Sequence, residues 1–531
     1  MQPILPEPTN PVYLTSDSLE WALNHAISFG DTVFLPNAFE YDAIRFDWTS
    51  IKNWLMNEDM VKWQPRSKRR FLATKSHYSF RYITQLDPLE YLAFTALLHI
   101  IGPELEAYRV QQNKKIVYSW RFKTETDGQM YDPNNEWGQF NERCLELAKE
   151  KDVKWIVVAD IADFFPHIYI HPVERVLAKA TGASAEAYCV MRMIRNWNAF
   201  VSYGLPVGIA GSRIIAEATI NDIDQMLLDS GRQYCRYADD FRIFCRSKRD
   251  AYEALEELGS GLFEMHGLTL QPQKTDIVNS QEYIKRFSIS PERLETESLT
   301  KRFKELLEEV GIEDDYDEDI DYDDLPEDTR KQIDDLNLLL LFEEQIKMDR
   351  SDPTVMRILL HRLGQLNIDE AVDKLLDSLE KLGHVIDSVV RYLSQLRGMS
   401  EDKRHQIGER VLTASKSESI NIYQRVCLLS IFTDSSEFDN EDRFMQLYQQ
   451  FNDIPTRREL ILAMGRAGKE HWFMRQRRDY AAFDPWTRRA FIAAFSCVSA
   501  DAREPFYRSL RGGNDVLEKA VIKWASANPF L

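Results

Sequence analysis

The chain has 531 residues, 44% of them hydrophobic, which makes it too long for one small core and too apolar for a disordered chain. Its formal net charge of −19, from 66 Lys and Arg against 85 Asp and Glu, excludes a protein that coats duplex nucleic acid through its overall field and leaves room only for a local basic groove. The six cysteines, at 144, 189, 235, 245, 427 and 497, form no CxxC pair, so a reduced, cytoplasmic protein without a zinc site is expected. No apolar run is long enough to cross a bilayer and the N-terminus shows no leader pattern, so no membrane is expected among its partners.

Residues 1–14 are Pro-rich and read as an arm or loop. Asp17 and Glu20 are placed to cap a helix through EWALNHAISF. The segment VKWQPRSKRRFLATK (61–75) gathers Arg66, Lys68, Arg69, Arg70 and Lys75, with Trp63 and Phe71 between the cations. That mixture suits a surface that tracks a phosphate backbone and stacks bases, and a solvated basic face would read the same way. A short strand around Arg81-Tyr82-Ile83 precedes an amphipathic helix, and VYSWRFK (117–123) alternates like a strand. A polar loop over 124–138 leads into a helix at FNERCLELAKEK.

KWIVVADIADFFPHI (154–168) reads as a buried strand that ends in Asp160, with Asp163, Phe164 and Phe165 beyond it. A carboxylate at the end of a buried strand needs a partner, because an unpaired buried charge is costly. Helices follow at 172–180 and 185–196. Residues 201–229 join a Gly-rich loop to a long helix; Gly204, Gly208 and Gly211 would let a ligand approach the backbone, although no P-loop sequence is present. QYCRYADDFRIFCRS reads as a hairpin whose turn carries Asp239 and Asp240. Adjacent like charges repel, and Mg²⁺, a hard ion that takes carboxylate oxygens, removes the objection. A helix and a strand-turn-strand segment holding Lys274 come next. A connector over 291–340 includes the acidic run at 313–328, and apolar residues at helical spacing dominate 341–531. The last third collects cations at Arg457-Arg458, Arg475, Arg477-Arg478 and Arg488-Arg489.

In this order the stretches over roughly 60–290 resemble the motif series of a reverse transcriptase. Asp160 resembles the first catalytic carboxylate, with YADD about eighty residues beyond it. SYGLPVGIAGSRIIAEA resembles the loop and helix that lie under template and incoming nucleotide, and HGLTLQPQKT resembles the following motif with its single lysine. The form GLPxGxxxSRxxAE, the YSWRF segment and a helical C-terminal half resemble the abortive-infection (Abi-like) and defence-associated bacterial reverse transcriptases. Maturase, endonuclease and RNase H segments are not recognisable. The sequence departs from most of these enzymes at Val207, where Gln usually precedes the glycine, and at Ser212-Arg213, where Ser-Pro is common; both bear on template handling.

The resemblance implies an α+β fold: right-hand fingers and palm at 1–290, then an all-α, HEAT-like helical repeat at 341–531. It implies nucleotidyl transfer from dNTPs on two Mg²⁺ ions, with Mn²⁺ as a substitute. The ions would lie at Asp160, Ile161, Asp239 and Asp240. The nucleotide would meet Lys75, Arg81, Asp163, Phe164, Phe165 and Gly208, with the Phe165 ring excluding a ribose 2′-hydroxyl. Nucleic acid would meet Arg66, Lys68, Arg69, Arg70, Ser212 and Arg213, and Lys274 would protonate or neutralise the leaving pyrophosphate. Implied partners are a DNA product, an RNA template or noncoding RNA, and further copies of the chain. Some members of the defence family copy no template and some start on a protein side chain. Three other readings stay open at this point: an inactive polymerase-like scaffold acting through its helical half, a mobile-element enzyme, and a viral-type RNA polymerase. The last more often carries Gly-Asp-Asp at the hairpin and a second Asp at the position of Phe165.

Overall fold

Short β-branched and aromatic runs build two antiparallel sheets, and capped helices supply the rest of an α+β chain. The computed structural model describes residues 4–76, 79–133, 137–198, 201–287, 299–309, 322–334, 336–348, 351–438, 441–510 and 515–529. Strands β1 (Arg69–Ser76) and β2 (Ser79–Gln85) form a hairpin. Strands β3 (Trp155–Asp160), β4 (Gln233–Tyr237), β5 (Asp240–Cys245) and β6 (Asp276–Asn279) form a four-stranded sheet in the order β4-β5-β3-β6.

The chain divides into two compact units that are interleaved along the sequence: Met1–Asp31, Met56–Arg66 and Glu90–Glu313 in the first, Thr32–Leu55, Ser67–Leu89 and Asp314–Leu531 in the second. The first unit is built round the four-stranded sheet and the helix Pro88–Tyr108 from Glu90 onward, of which Glu90 to Leu98 are buried. The helix expected at EWALNHAISF runs over Ser16–Phe29, and its cap is Thr15, whose hydroxyl accepts from the Ser18 N–H, in place of the expected Asp17. The long helix expected within 201–229 is two, Ala210–Thr219 and Asn221–Asp229. The break falls where the Asn221 amide reaches out to bond the Val110 N–H and the Tyr108 carbonyl.

In the second unit, helices Pro353–Gln365, Ile386–Gln395, Ile422–Asp434, Ile454–Arg466, Pro485–Ala494 and Val516–Ala527 pack in a row, each against the next. Several start on the same device: Asp352, Asp453 and Asp484 each accept from backbone N–H groups of the first turn, with proline at the first or second position. The β1-β2 hairpin is bonded into this row. Trp486 Nε1 donates to the Ser67 carbonyl (2.8 Å), Asn421 to the Leu72 carbonyl (3.1 Å) and Gln424 to the Thr74 hydroxyl (2.9 Å). At its centre Glu40 meets Arg458 at 2.8 Å and Arg489 at 3.2 Å, and Arg489 also meets Asp87 at 3.0 Å, all four nearly inaccessible to solvent. Burial pushes the Glu40 carboxyl up, but the guanidiniums of Arg458, Arg489 and Arg69 outweigh it and leave it below the usual range. Most of the acidic run at 313–328 lies outside the described residues; its end forms the 3-10 turn Tyr322–Asp324 and part of the helix Glu327–Asp334.

Deleting 341–531 therefore removes the row that holds residues 32–55 and 67–89, and leaves Glu40 and Asp87 without their guanidiniums. We expect the truncated chain to aggregate or to unfold without cooperativity, as read by light scattering and calorimetry. A monodisperse, cooperatively folding truncation would show that these segments are held by something else.

Candidate active site

Antiparallel pairing sets Asp160, the last residue of β3, opposite Asp240, the first of β5. The Ile161 N–H donates to the Asp239 carbonyl at 3.1 Å, so Asp160, Asp239 and Asp240 meet at one end of the sheet. Asp160 is buried, with both carboxylate oxygens shut off from solvent, whereas Asp239 and Asp240 are half-buried. Arg242 lies two residues along β5 and hence on the same face as Asp240, to which its Nη1 donates at 3.1 Å. Part of the Asp240 charge is thus balanced from within the protein.

The turn between β4 and β5 is strained. Ala238 has a φ of +50°, a left-handed conformation that an L-residue with a Cβ rarely adopts. Three bonds hold it: the Ala238 N–H donates to the Ser119 hydroxyl (2.8 Å), Arg236 Nη1 donates to the Ala238 carbonyl (2.8 Å), and Ile161 takes the Asp239 carbonyl. Arg236 is wholly buried and grips Asp224 with two bonds, 2.9 and 2.6 Å, while its Nη1 reaches Glu217 at 3.1 Å. Glu217 also accepts from Ser119 (2.5 Å) and Arg109 (2.6 Å). Arg109 in turn bonds the carbonyls of Ser119 (2.8 Å) and Trp120 (3.0 Å). The strand expected at 117–123 is accordingly reduced to single bridges at Val117 and Phe122, because its middle carbonyls face a guanidinium in place of a neighbouring strand. Burial pushes the Glu217 carboxyl up, yet Arg236 and Arg109 outweigh it and hold it below its usual value.

Phe165 stands half-buried beside this turn, its ring 5.7 Å from Trp120, which is 6.2 Å from Tyr237. The Arg213 guanidinium lies over Trp120 at 5.1 Å. The Gly-rich loop is tied to the same place: Leu205 N–H donates to the Phe165 carbonyl (3.0 Å) and Gly204 N–H to the Ile168 carbonyl (2.8 Å). Gly204 has φ +95°, and a Cβ there would sit 3.2 Å from the Pro166 carbonyl oxygen. Gly208 also has a left-handed φ, +93°. Asp163 is exposed at the start of the Phe164–His167 helix, and Phe164 is buried in the core. Ser212 is buried, and its hydroxyl finds no hydrogen-bond partner among the described residues. Lys274 closes a turn, its N–H donating to the Gln271 carbonyl (3.1 Å), that begins where the Gln271 N–H donates to the Asp160 carbonyl at 2.7 Å.

The remaining sequence candidates are distributed between the units. Arg66, in the first, is half-buried, and its backbone N–H donates to Glu90. Lys68, Arg69, Arg70, Lys75 and Arg81 are in the second. Arg69 is buried against Trp486, 4.3 Å from its ring, with Glu459 at 3.5 Å, so it serves packing. Arg70 is exposed, Lys68 and Lys75 are half-buried, and Arg81 lies 5.8 Å from the Phe34 ring. Trp63 and Phe71 are both buried, which corrects the expectation of a base-stacking surface there. Sequence reasoning missed Ser119, Trp120, Arg109, Arg236 and Asp224 as members of the site. The available signal was a charge in each of two apolar stretches, Arg236 before YADD and Glu217 in IIAEAT.

Among the described residues no group of three or more His, Cys, Asp or Glu forms a ready-made metal cage. The arrangement fits Mg²⁺ nonetheless, because that ion is held by one or two carboxylates and completes its shell with substrate phosphates and water. Buried Asp160 and neighbouring Asp239 supply that donor set.

Residues 107–298 match the family model described as reverse transcriptase (RNA-dependent DNA polymerase). The chain carries a reverse transcriptase domain. Its enzyme class is RNA-directed DNA polymerase, and the match spans the three aspartates, Phe165, Gly208, Ser212, Arg213 and Lys274. It begins after Arg66, Lys68, Arg69, Arg70, Lys75 and Arg81. No curated protein matches the chain. Among solved structures, a similar one is telomerase from Candida albicans in complex with a TWJ fragment of telomeric RNA, at 12% identity and a TM-score of 0.31, over 86% of this chain and 67% of that one.

A carboxyl held below its ordinary value contributes stability that is complete above that value, 4.5 for Glu217, and is lost as the pH falls through the folded value. Glu217→Gln should lower unfolding stability at neutral pH by about 3–5 kcal/mol, since two guanidiniums lose a buried counter-charge. It should also flatten the loss of stability below pH 4.5. Urea titrations at neutral and acid pH read both effects, and equal stability of variant and parent at neutral pH would refute the first.

Proposed function

We propose that this reverse transcriptase domain makes DNA as the effector of an antiphage defence, by two-metal nucleotidyl transfer from dNTPs. The observation that carries the chemical part is the meeting of Asp160 and Asp239 at one sheet end, inside the matched domain. Asp160 and Asp239 would hold the ions, with the Ile161 backbone beside them and Asp240, balanced by Arg242, in support. Bound there, two Mg²⁺ ions would activate the attacking 3′-oxygen and stabilise the leaving pyrophosphate. Phe165, backed by Trp120, would stand against the sugar and reject a 2′-hydroxyl. Lys274, on the turn tied to Asp160, would neutralise or protonate the pyrophosphate. Arg213, whose guanidinium lies over Trp120, would serve the nucleic acid.

The defence role rests on the Abi-like form of the motifs and on the helical unit, whose HEAT-like row suits binding a partner or further copies of the chain. Synthesis without a template, from a protein side chain, or with a noncoding RNA are the modes that resemblance supplies.

Asp160→Ala and Asp239→Ala should each abolish nucleotide incorporation in a folded protein; retained synthesis with normal metal dependence in either would overturn the assignment. Phe165→Ala should raise the ratio of kcat/KM for ribonucleotides over deoxynucleotides, and an unchanged ratio would place sugar selection elsewhere. For the biological role, the chain with its native flanking DNA should lower phage plating, and an Asp239→Ala, Asp240→Ala pair should abolish the protection. Equal protection from both would exclude DNA synthesis as the effector.

A further inference from the structure

Ser119 lies in the YSWRF segment, outside the aspartates that carry the chemistry. It is fully buried, and its hydroxyl joins two partners at once. Glu217 is a carboxylate and can only accept, so at 2.5 Å the Ser119 O–H donates to it. The lone pairs of the same oxygen are then turned to the Ala238 N–H, 2.8 Å away. Ala238 is the strained residue immediately before Asp239. A left-handed alanine persists only where its surroundings over-determine it. Here the determining groups are the Ser119 hydroxyl on one side of the peptide and Arg236 on the other.

We propose that Ser119 is a positioning residue for catalysis: its hydroxyl couples the buried Glu217–Arg236 pair to the Ala238 amide and so aims the Asp239 carboxylate. Arg109 holds the Ser119 and Trp120 carbonyls, so the segment that presents the hydroxyl is itself clamped. Trp120 leaves that clamp with a left-handed φ of +41° and places its ring toward Phe165 and Tyr237. The same segment thus sets the aspartate turn and the aromatic wall beside it. The inference rests on the reading of Asp160 and Asp239 as the metal-bearing residues.

The test is single-turnover nucleotide incorporation by the full chain, titrated with Mg²⁺, for the parent, Ser119→Ala and Ser119→Thr. Ser119→Ala should lower the maximal rate about a hundredfold, the scale of a small misplacement of reacting groups. It should also raise the Mg²⁺ concentration needed for half-maximal rate, while KM for the dNTP stays within about threefold. Ser119→Thr keeps the hydroxyl and should restore the rate and the Mg²⁺ midpoint. Circular dichroism and thermal melts run alongside. A rate that falls only in step with the folded fraction, at an unchanged Mg²⁺ midpoint, would reduce Ser119 to a packing residue, and a parent-like Ser119→Ala would overturn the proposal. Should Ser119→Ala fail to fold, Ser119→Cys, which fills the space with a weaker donor and acceptor, is judged by the same criteria. A parent protein that incorporates no nucleotide would defeat the functional reading itself, an outcome distinct from a Ser119 variant that matches an active parent.

Discussion

Arg236 is the constraint from which the aspartate-bearing end of the first unit follows. A guanidinium sealed inside a β-strand costs several kcal/mol in lost hydration unless it is matched by charge and hydrogen bonds. Asp224 and Glu217 supply the charge, and Arg109 completes a group of two carboxylates and two guanidiniums. Once that group exists, its remaining donors and acceptors reach the backbone of the Ala238 turn and of the 119–120 segment. The result is a hairpin whose strained tip is held by the core while the next two side chains, Asp239 and Asp240, stay partly open to solvent.

The second unit applies the same physics to a different end. Glu40 and Asp87 come from early segments, Arg458 and Arg489 from helices late in the chain, and their pairing is what makes the unit discontinuous in sequence. The β1-β2 hairpin is held by side chains that reach the Leu72 carbonyl within β1 and the Ser67 carbonyl just before it. Arg69, read by composition as a surface cation, is used inside this assembly.

The site chemistry divides cleanly along the backbone. Positions on or next to β3 and the β4-β5 turn have fixed geometry because ladder bonds set it: Asp160 opposite Asp240, Ile161 on Asp239, Gln271 on Asp160. Phe165 owes its place to the Gly-rich loop, where Gly204 alone permits the close approach to Pro166. The Phe165 ring and the Asp239 and Asp240 carboxylates are thereby carried on separate loops that share one sheet.

The aspartates, the central strands and the order of the motifs were legible in the amino-acid order, because period-2 apolar runs and adjacent carboxylates depend on neighbours along the chain. The helix at 16–29 was legible but its start was not: Asp17 drew attention from Thr15, whose hydroxyl makes the cap. Ser119, Arg236 and Glu217 were not, since a buried ion pair joins residues far apart in sequence and each alone reads as an ordinary polar residue. The same holds for Trp63, Phe71 and Arg69, whose burial depends on what packs over them. Local order along the chain determines which groups are present and which strand or helix carries them. Long-range pairing in a low-dielectric interior decides which charges face one another, and therefore which polar residues support the site from within.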